Sequence, residues 1–241
     1  MSWYHYRPDH IVVQYLHSYP SFLSPEFIGA FSGAFFAFLF GIISYRIIRR
    51  FDRFVQHRNA LVVLEKLLNE HIDLIGLNRA GALNTSPILR AHKLTHNRLT
   101  ELPIRNNLNM ELGSLDIANR YFSYERGVHR TNVDSQSLNY TLTRFEDVII
   151  GGGVLPGENW FYIVGAIDQV PRHLDKLETE TKELLGLVRI HIRRLVNKGI
   201  WYANTNKNWD IAVTERELTD EVVALEQEIK ESANKSPSIT R

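Results

Sequence analysis

Along most of the chain apolar residues recur at three- and four-residue intervals, and at one place they merge into a run with no charge. Between Glu26 and Arg46 lie 19 uncharged residues, Phe27 to Tyr45, rich in Phe, Ile, Ala and Gly. As a helix rising ~1.5 Å per residue the run spans ~28 Å, close to the thickness of a bilayer's hydrocarbon core. A buried helix of a soluble protein seldom runs so far without a charge. A secretory signal has a shorter apolar run and a small-residue cleavage site, whereas arginines follow this one. The pattern predicts one transmembrane helix over residues 27–45, preceded by a short segment, 1–26.

Inside that helix Gly29, Gly33, Ala37 and Gly41 recur every four residues and fall on one narrow stripe. Ala30 and Ala34 widen the stripe, and Phe31, Phe35, Phe36, Phe38 and Phe40 occupy the remaining surface. Small residues at this spacing let two helix backbones approach where no hydrophobic drive exists between them. Self-association through the stripe is the expectation. No ionisable side chain lies in the span, so it offers no candidate for a proton relay or ion site.

No Gly or Pro interrupts residues 42–75, and Phe51, Phe54, Leu61, Leu64, Leu68 and Ile75 continue the helical period. The membrane helix is expected to continue as a stalk over 46–77, ending near Gly76. Residues 78–110 contain Pro87, Pro103 and many Asn and Thr, and predict loops with short ordered pieces. Leu112, Leu115, Ala118 and Phe122 predict a short helix stopped near Gly127. Thr131 and Asp134 resemble a capping box opening another helix, with Leu138, Leu142, Phe145 and Ile149 on its apolar face. The run Gly151–Gly153 through Gly157 closes it.

The longest periodic stretch follows. Trp160, Ile163, Ile167, Val170, Leu174, Leu177, Thr181, Leu184, Val188, His191 and Leu195 keep near-heptad spacing and predict a helix packed along a seam. Pro171 lacks a backbone donor and predicts a kink or break near Val170. Thr214 and Glu217 form a capping box for a last helix carrying Leu218, Val222, Leu225 and Ile229. Residues 232–241 read as a disordered tail. The expected fold class is all-α: the membrane helix and stalk, then an elongated helical bundle or coiled-coil domain over 78–231.

Charge adds an orientation. Residues 46–58 hold Arg46, Arg49, Arg50, Arg53 and Arg58 against Asp52 alone, a net of +4, while only Arg7 precedes the span. This bias predicts a cytoplasmic C-terminal domain and an N-terminus on the opposite side. Arg46, Arg49, Arg50 and Arg53 are placed to meet anionic lipid headgroups, and Trp3, Tyr4, Tyr6, Tyr15 and Tyr19 to form an interfacial belt on the other side. From Asn59 onward 22 basic and 24 acidic side chains leave a net of −2. Nucleic-acid binding driven by charge is therefore not expected. The chain has no cysteine, which excludes disulfides, thiolate metal sites and cysteine nucleophiles.

Candidate chemistry is sparse. The glycine run at 151–157 lacks the Gly-Lys-Ser/Thr ending of a phosphate loop and follows a helical pattern instead of a strand. His92 and His96 are four apart, with Glu101 a conceivable third ligand, yet Lys93 occupies the Glu position of the zinc-protease pattern. Neither a metal nor a cofactor is expected. Arg90 through His96 resembles the Arg-x(4–6)-His motif of HEPN-type ribonucleases, which are all-helical. The resemblance covers seven residues, has Ala91 where a polar residue is usual, and implies catalytic roles for Arg90 and His96. The same spacing also occurs at Arg50 and His57, within the membrane-proximal stalk. His191, amid Val188, Ile192 and Leu195, is expected in the core, where protonation near pH ~6.5 would loosen packing. Glu146, Asp147, Glu178, Glu180 and Glu183 are expected on solvated helix faces.

These features favour a single-pass membrane protein that self-associates, contacts lipid and presents its helical domain to a cytoplasmic protein partner. An oligomeric pore or permeabilising effector uses the same features, and a membrane-tethered nuclease ranks third. No catalytic motif marks the chain as an enzyme.

Overall fold

The structure is a computed structural model that describes residues 25–90, 98–105, 108–150, 157–198 and 212–235. The described chain is helical, with α1 over Pro25–Arg90, a one-turn α2 over Leu108–Glu111, α3 over Leu115–Ile150, α4 over Gly157–Lys198 and α5 over Glu215–Lys235. No strand occurs among the described residues. The chain divides into two compact units, Met1–Asp52 and Arg53–Arg241. The predicted disordered tail lies largely outside the described residues, α5 extending to Lys235.

In the first unit none of the described residues is buried. In the second unit Leu61, Leu64, Leu68 and Ile75 of α1 are fully buried, as their period predicts, and Phe54 packs against the same core. The helix runs beyond the expected end near Gly76. Gly76 sits on the outer face, where a Cβ would meet nothing within 4 Å, so its cost is a propensity loss of about 1 kcal/mol. Buried Ile75 and Asn78 on either side outweigh that loss.

The helix α3 replaces the two helices expected on either side of Gly127. Its start is capped by Ser114, whose hydroxyl accepts from the Ile117 N–H at 3.3 Å while its carbonyl accepts from the Ala118 N–H. From that start the inward face is Ile117, Tyr121, Tyr124, Val128, Thr131, Ser135, Leu138 and Leu142, all buried at heptad spacing. Leu115 and Phe122, expected on this face, are 54% and 49% exposed. Half the inward face is hydroxylic, so apolar periodicity alone selects the wrong stripe. Thr131 is no cap: its hydroxyl donates to the Gly127 carbonyl one turn back, at 2.9 Å.

Gly127 faces α4, where an added Cβ would stand 3.4 Å from Leu177 Cδ1 and from a Glu180 carboxylate oxygen. Close approach between helices explains the glycine, and no stop is needed. Helices α3 and α4 are antiparallel: Tyr124 meets Thr181, Gly127 meets Leu177, and Asp134 meets His173. On α4 the predicted seam holds, with Val170, Leu174, Leu177, Thr181, Leu184, Val188, His191 and Leu195 all buried. Trp160, Ile163 and Ile167 have side chains outside the described set. The helix continues through Pro171 without a break. Since the seam is covered by this chain's own helices, the heptads encode intramolecular packing.

At the start of α5 the capping box forms as predicted. The Thr214 N–H donates to a Glu217 carboxylate oxygen at 3.1 Å, and the Glu217 N–H donates to the Thr214 hydroxyl at 3.3 Å. Helix α5 lies antiparallel on α4, and Gly186 there leaves room for Leu218 and Val222, each 3.4 Å from where its Cβ would stand.

Between α1 and α3 runs an extended segment, 98–105, in which Leu99 and Leu102 are buried. With no strand beside it, its peptide groups are held by side-chain amides. Asn139 accepts from the Leu99 N–H and donates to the Leu99 carbonyl, at 2.9 and 2.8 Å. Asn78 does the same for Thr100 at 2.7 Å in both directions, and Asn132 for Leu102 at 2.8 Å in both. Replacing Asn132 by Ala strands both peptide groups of Leu102 in the core. The expected loss is about 2–4 kcal/mol from two unmade buried hydrogen bonds. Urea denaturation of the detergent-solubilised chain checks this, with Thr219→Ala, on an exposed face of α5, expected within about 0.5 kcal/mol of the parent.

Candidate functional site

Three places carry chemistry beyond packing: the apolar face of α1, a buried polar chain at the centre of the helical domain, and a cleft between α3 and α4. On α1, Phe27, Phe31, Phe35, Phe36, Phe38, Phe40, Ile43 and Tyr45 are all exposed. A Cβ at Gly29, Gly33 or Gly41 would meet nothing within 4 Å, and Ala37 is exposed as well. Phe27 stacks on Phe31 and Phe31 on Phe35 at centroid separations of 6.4 Å, so the rings align along one edge of the helix. This is the one helix among the described residues long and apolar enough to cross a membrane, and none of its apolar window is buried. Arg46, Arg49 and Arg53 are exposed and Arg50 is half-buried.

His96 and His92 lie outside the described residues, as does the side chain of Arg90, whose backbone ends α1. The side chains of Glu146 and Asp147 are also outside them. No group of three metal-ligating side chains occurs among the described residues. His191 is fully buried at its predicted seam position.

The buried polar chain joins three helices and the extended segment. His71 of α1 lies with Nδ1 2.6 Å from the Tyr124 hydroxyl and Nε2 2.7 Å from the Pro103 carbonyl. The Tyr124 oxygen is 3.0 Å from the Thr181 hydroxyl, which is 2.6 Å from the Leu177 carbonyl. A carbonyl only accepts, so Nε2 must carry a proton, and in neutral His71 the Nδ1 atom accepts from Tyr124. Thr181 then has one proton for two acceptors, Tyr124 and Leu177. Protonating Nδ1 would supply the missing donor and turn every contact in one direction. Burial opposes this and lowers the His71 pKa, outweighing the Pro103 carbonyl and the charge of Glu70, which favour the imidazolium. Burial likewise pushes the Tyr124 phenol well above its ordinary range, reinforced by Tyr121 and Glu180 and opposed by Thr181. The chain is therefore neutral and one donor short, the Thr181 proton being shared between Tyr124 and Leu177.

Around it runs a belt of ion pairs. Arg79 reaches Asp175 at 2.7 Å and also pairs with Glu178, and Lys182 bridges Glu178 at 2.8 Å and Glu226 at 3.4 Å. Arg189 links Glu65 at 3.2 Å to Glu228 at 2.7 Å. Glu178, expected on a solvated face, is thus a partly buried junction. Burial raises its pKa, but hydrogen bonds from Lys182 and Arg79 outweigh this and leave it lowered. A helical wheel registers only Lys182, four residues on; Arg79 lies 99 residues away along the chain.

The cleft, of about 430 Å³, opens beside Gly127. Helix α3 contributes Arg126 and Arg130 to its walls, and α4 contributes His173, Lys176 and Glu180. His173 Nδ1 is 2.9 Å from Asp134. Charge counting missed this place because the balance of the domain as a whole is acidic.

No protein-family model matches the chain, and comparison with curated proteins and with solved structures finds no match either.

The lowered His71 pKa has a definite sign. Unfolding releases an imidazole that binds a proton more readily than the folded one, so the folded state has its full stability above the ordinary pKa of 6.5 and loses it as pH falls below that value. Thermal unfolding between pH 7.5 and 5.0 checks this. The midpoint is expected to drop in the parent and to drop less in His71→Gln, whose amide keeps a donor toward Pro103 and an acceptor toward Tyr124.

Proposed function

We propose that the protein is a single-pass membrane-anchored helical protein that self-associates within the bilayer and presents its helical domain to a cytoplasmic partner. The observation that carries the proposal is the wholly uncovered apolar face of α1 from Phe27 to Tyr45. In water such a face would be a single continuous apolar patch, and lipid is the surface that covers it on all sides. The arginines after it favour a cytoplasmic C-terminal domain. The stripe of Gly29, Gly33, Ala37 and Gly41 is the self-association surface in this scheme, because the α4 heptads are occupied within the chain. A pore assembled from several copies is a second use of the same stripe, disfavoured by the lack of polar residues to line a lumen apart from Ser32 and Ser44.

Membrane fractions washed with alkaline carbonate are expected to retain the protein, and its release into the supernatant would overturn the anchor. Because the chain has no cysteine, single substitutions report topology without background. With a membrane-impermeant maleimide, Ser2→Cys is expected to label on intact cells and Ser238→Cys only after lysis.

Self-association is read from the mass of the detergent-solubilised particle. A defined oligomer is expected for the parent and a monomer for the Gly33→Leu, Gly41→Leu double variant, since leucines on the stripe hold the backbones apart. A monomeric parent would refute the assembly. A ring of several copies would favour the pore.

A further inference from the structure

The α3–α4 cleft has a composition that internal packing does not account for. Five cations on α4 or facing it are matched: Arg79, Lys182, Arg189, Arg193 and Arg194 each have a carboxylate within 3.4 Å. At the cleft the matching stops. Neither Arg126 nor Arg130 has an ion-pair partner among the described residues, and Lys176 has only Glu180 at 3.8 Å. Arg126 and Arg130 are four apart on one helix, a spacing at which like charges repel. Two helices thus bring three cations to one concave place with a single loosely held carboxylate.

The shape points the same way. Gly127 lies between the two arginines, inside a 36-residue helix. A longer side chain there would project toward Leu177 and Glu180 and fill the floor of the cleft. The volume of about 430 Å³ falls in the range of small-molecule sites. Leu177 is the one large apolar side chain in the lining, which disfavours an apolar ligand. The Arg126 Cζ lies over the Phe122 ring, 5.0 Å from its centroid, a cation–π contact. A guanidinium presents paired N–H groups that fit an oxyanion bidentately.

We propose that the cleft between the middle turns of α3 and α4 binds a phosphate-bearing small molecule through Arg126, Arg130 and Lys176. The arginines supply paired donors to phosphate oxygens and Lys176 a point charge. Glu180, at the same wall, accepts from hydroxyl groups on the organic part of the ligand. His173, held by Asp134, lines the same α4 wall two turns before Glu180.

Isothermal titration of the full chain in non-ionic detergent at low ionic strength tests the proposal, with sodium pyrophosphate as the probe. Saturable binding is expected, weakening as salt is added. Arg126→Gln with Arg130→Gln is expected to weaken it at least tenfold with unchanged helix content, whereas Arg144→Gln, an exposed arginine outside the cleft, leaves it unchanged. A parallel titration with water-soluble dioctanoyl phosphatidylinositol bisphosphate separates the sources. Pyrophosphate binding assigns a soluble phosphate ligand, and arginine-dependent binding of the lipid alone assigns a headgroup. The absence of saturable binding to either probe overturns the proposal, as does binding that the double variant retains or that Arg144→Gln weakens equally.

Discussion

A peptide segment cannot lie in a helical core unless something takes up its N–H and C=O groups, and here that task falls to three asparagines. The extended residues 98–105 pass between α1 and α3 with no strand for a neighbour. Asn78, Asn132 and Asn139 each treat one residue of the segment as a strand partner would, accepting from its N–H and donating to its carbonyl. The Pro103 carbonyl is taken by His71 and the Arg105 carbonyl by the Tyr121 hydroxyl. Left unmade, the buried N–H and C=O groups of Leu102 would cost about 1–3 kcal/mol each. The amides also set register, because Asn132 and Asn139 stand two turns apart on α3 and address peptide groups three residues apart on the segment.

The arrangement explains why the centre of the domain is polar. His71 holds the segment with one ring nitrogen and Tyr124 with the other, and Tyr124 reaches Thr181 of α4. The clamp on the segment is therefore continuous with the contact between α3 and α4. The same layer carries the ion pairs of Arg79 and Lys182 toward α4 and α5. Apolar burial on α4, from Val170 to Leu195, supplies the bulk of the cohesion, and the polar chain specifies which faces meet.

Much of this was legible where the signal is local. The uncharged run, the α4 seam and the Thr214–Glu217 box follow from periodicity, charge and capping, which act over a few residues. Apolar periodicity selects the wrong face of α3 because Tyr121 and Tyr124 are inward for their hydrogen bonds, with Thr131 and Ser135 buried beside them, while Leu115 and Phe122 face out. Gly127 was read as a stop because a glycine that ends a helix and one that admits a neighbouring helix look alike in one dimension. The cleft beside it was illegible, since Arg126 and Lys176 are 50 residues apart and the domain's net charge conceals them.

By itself the sequence determined the helical class of the chain, the apolar span near its N-terminus and the inward face of α4. Each follows from spacing along a single helix or from composition within a short window. Tertiary structure alone decided that α1 and α3 continue through Gly76 and Gly127, that asparagines hold a peptide segment against the core through Leu99 and Leu102, and that Glu178 is a junction. It also decided that three cations share one cleft. Those outcomes depend on which helices face one another, and pairings across tens of residues leave no periodic trace in the chain.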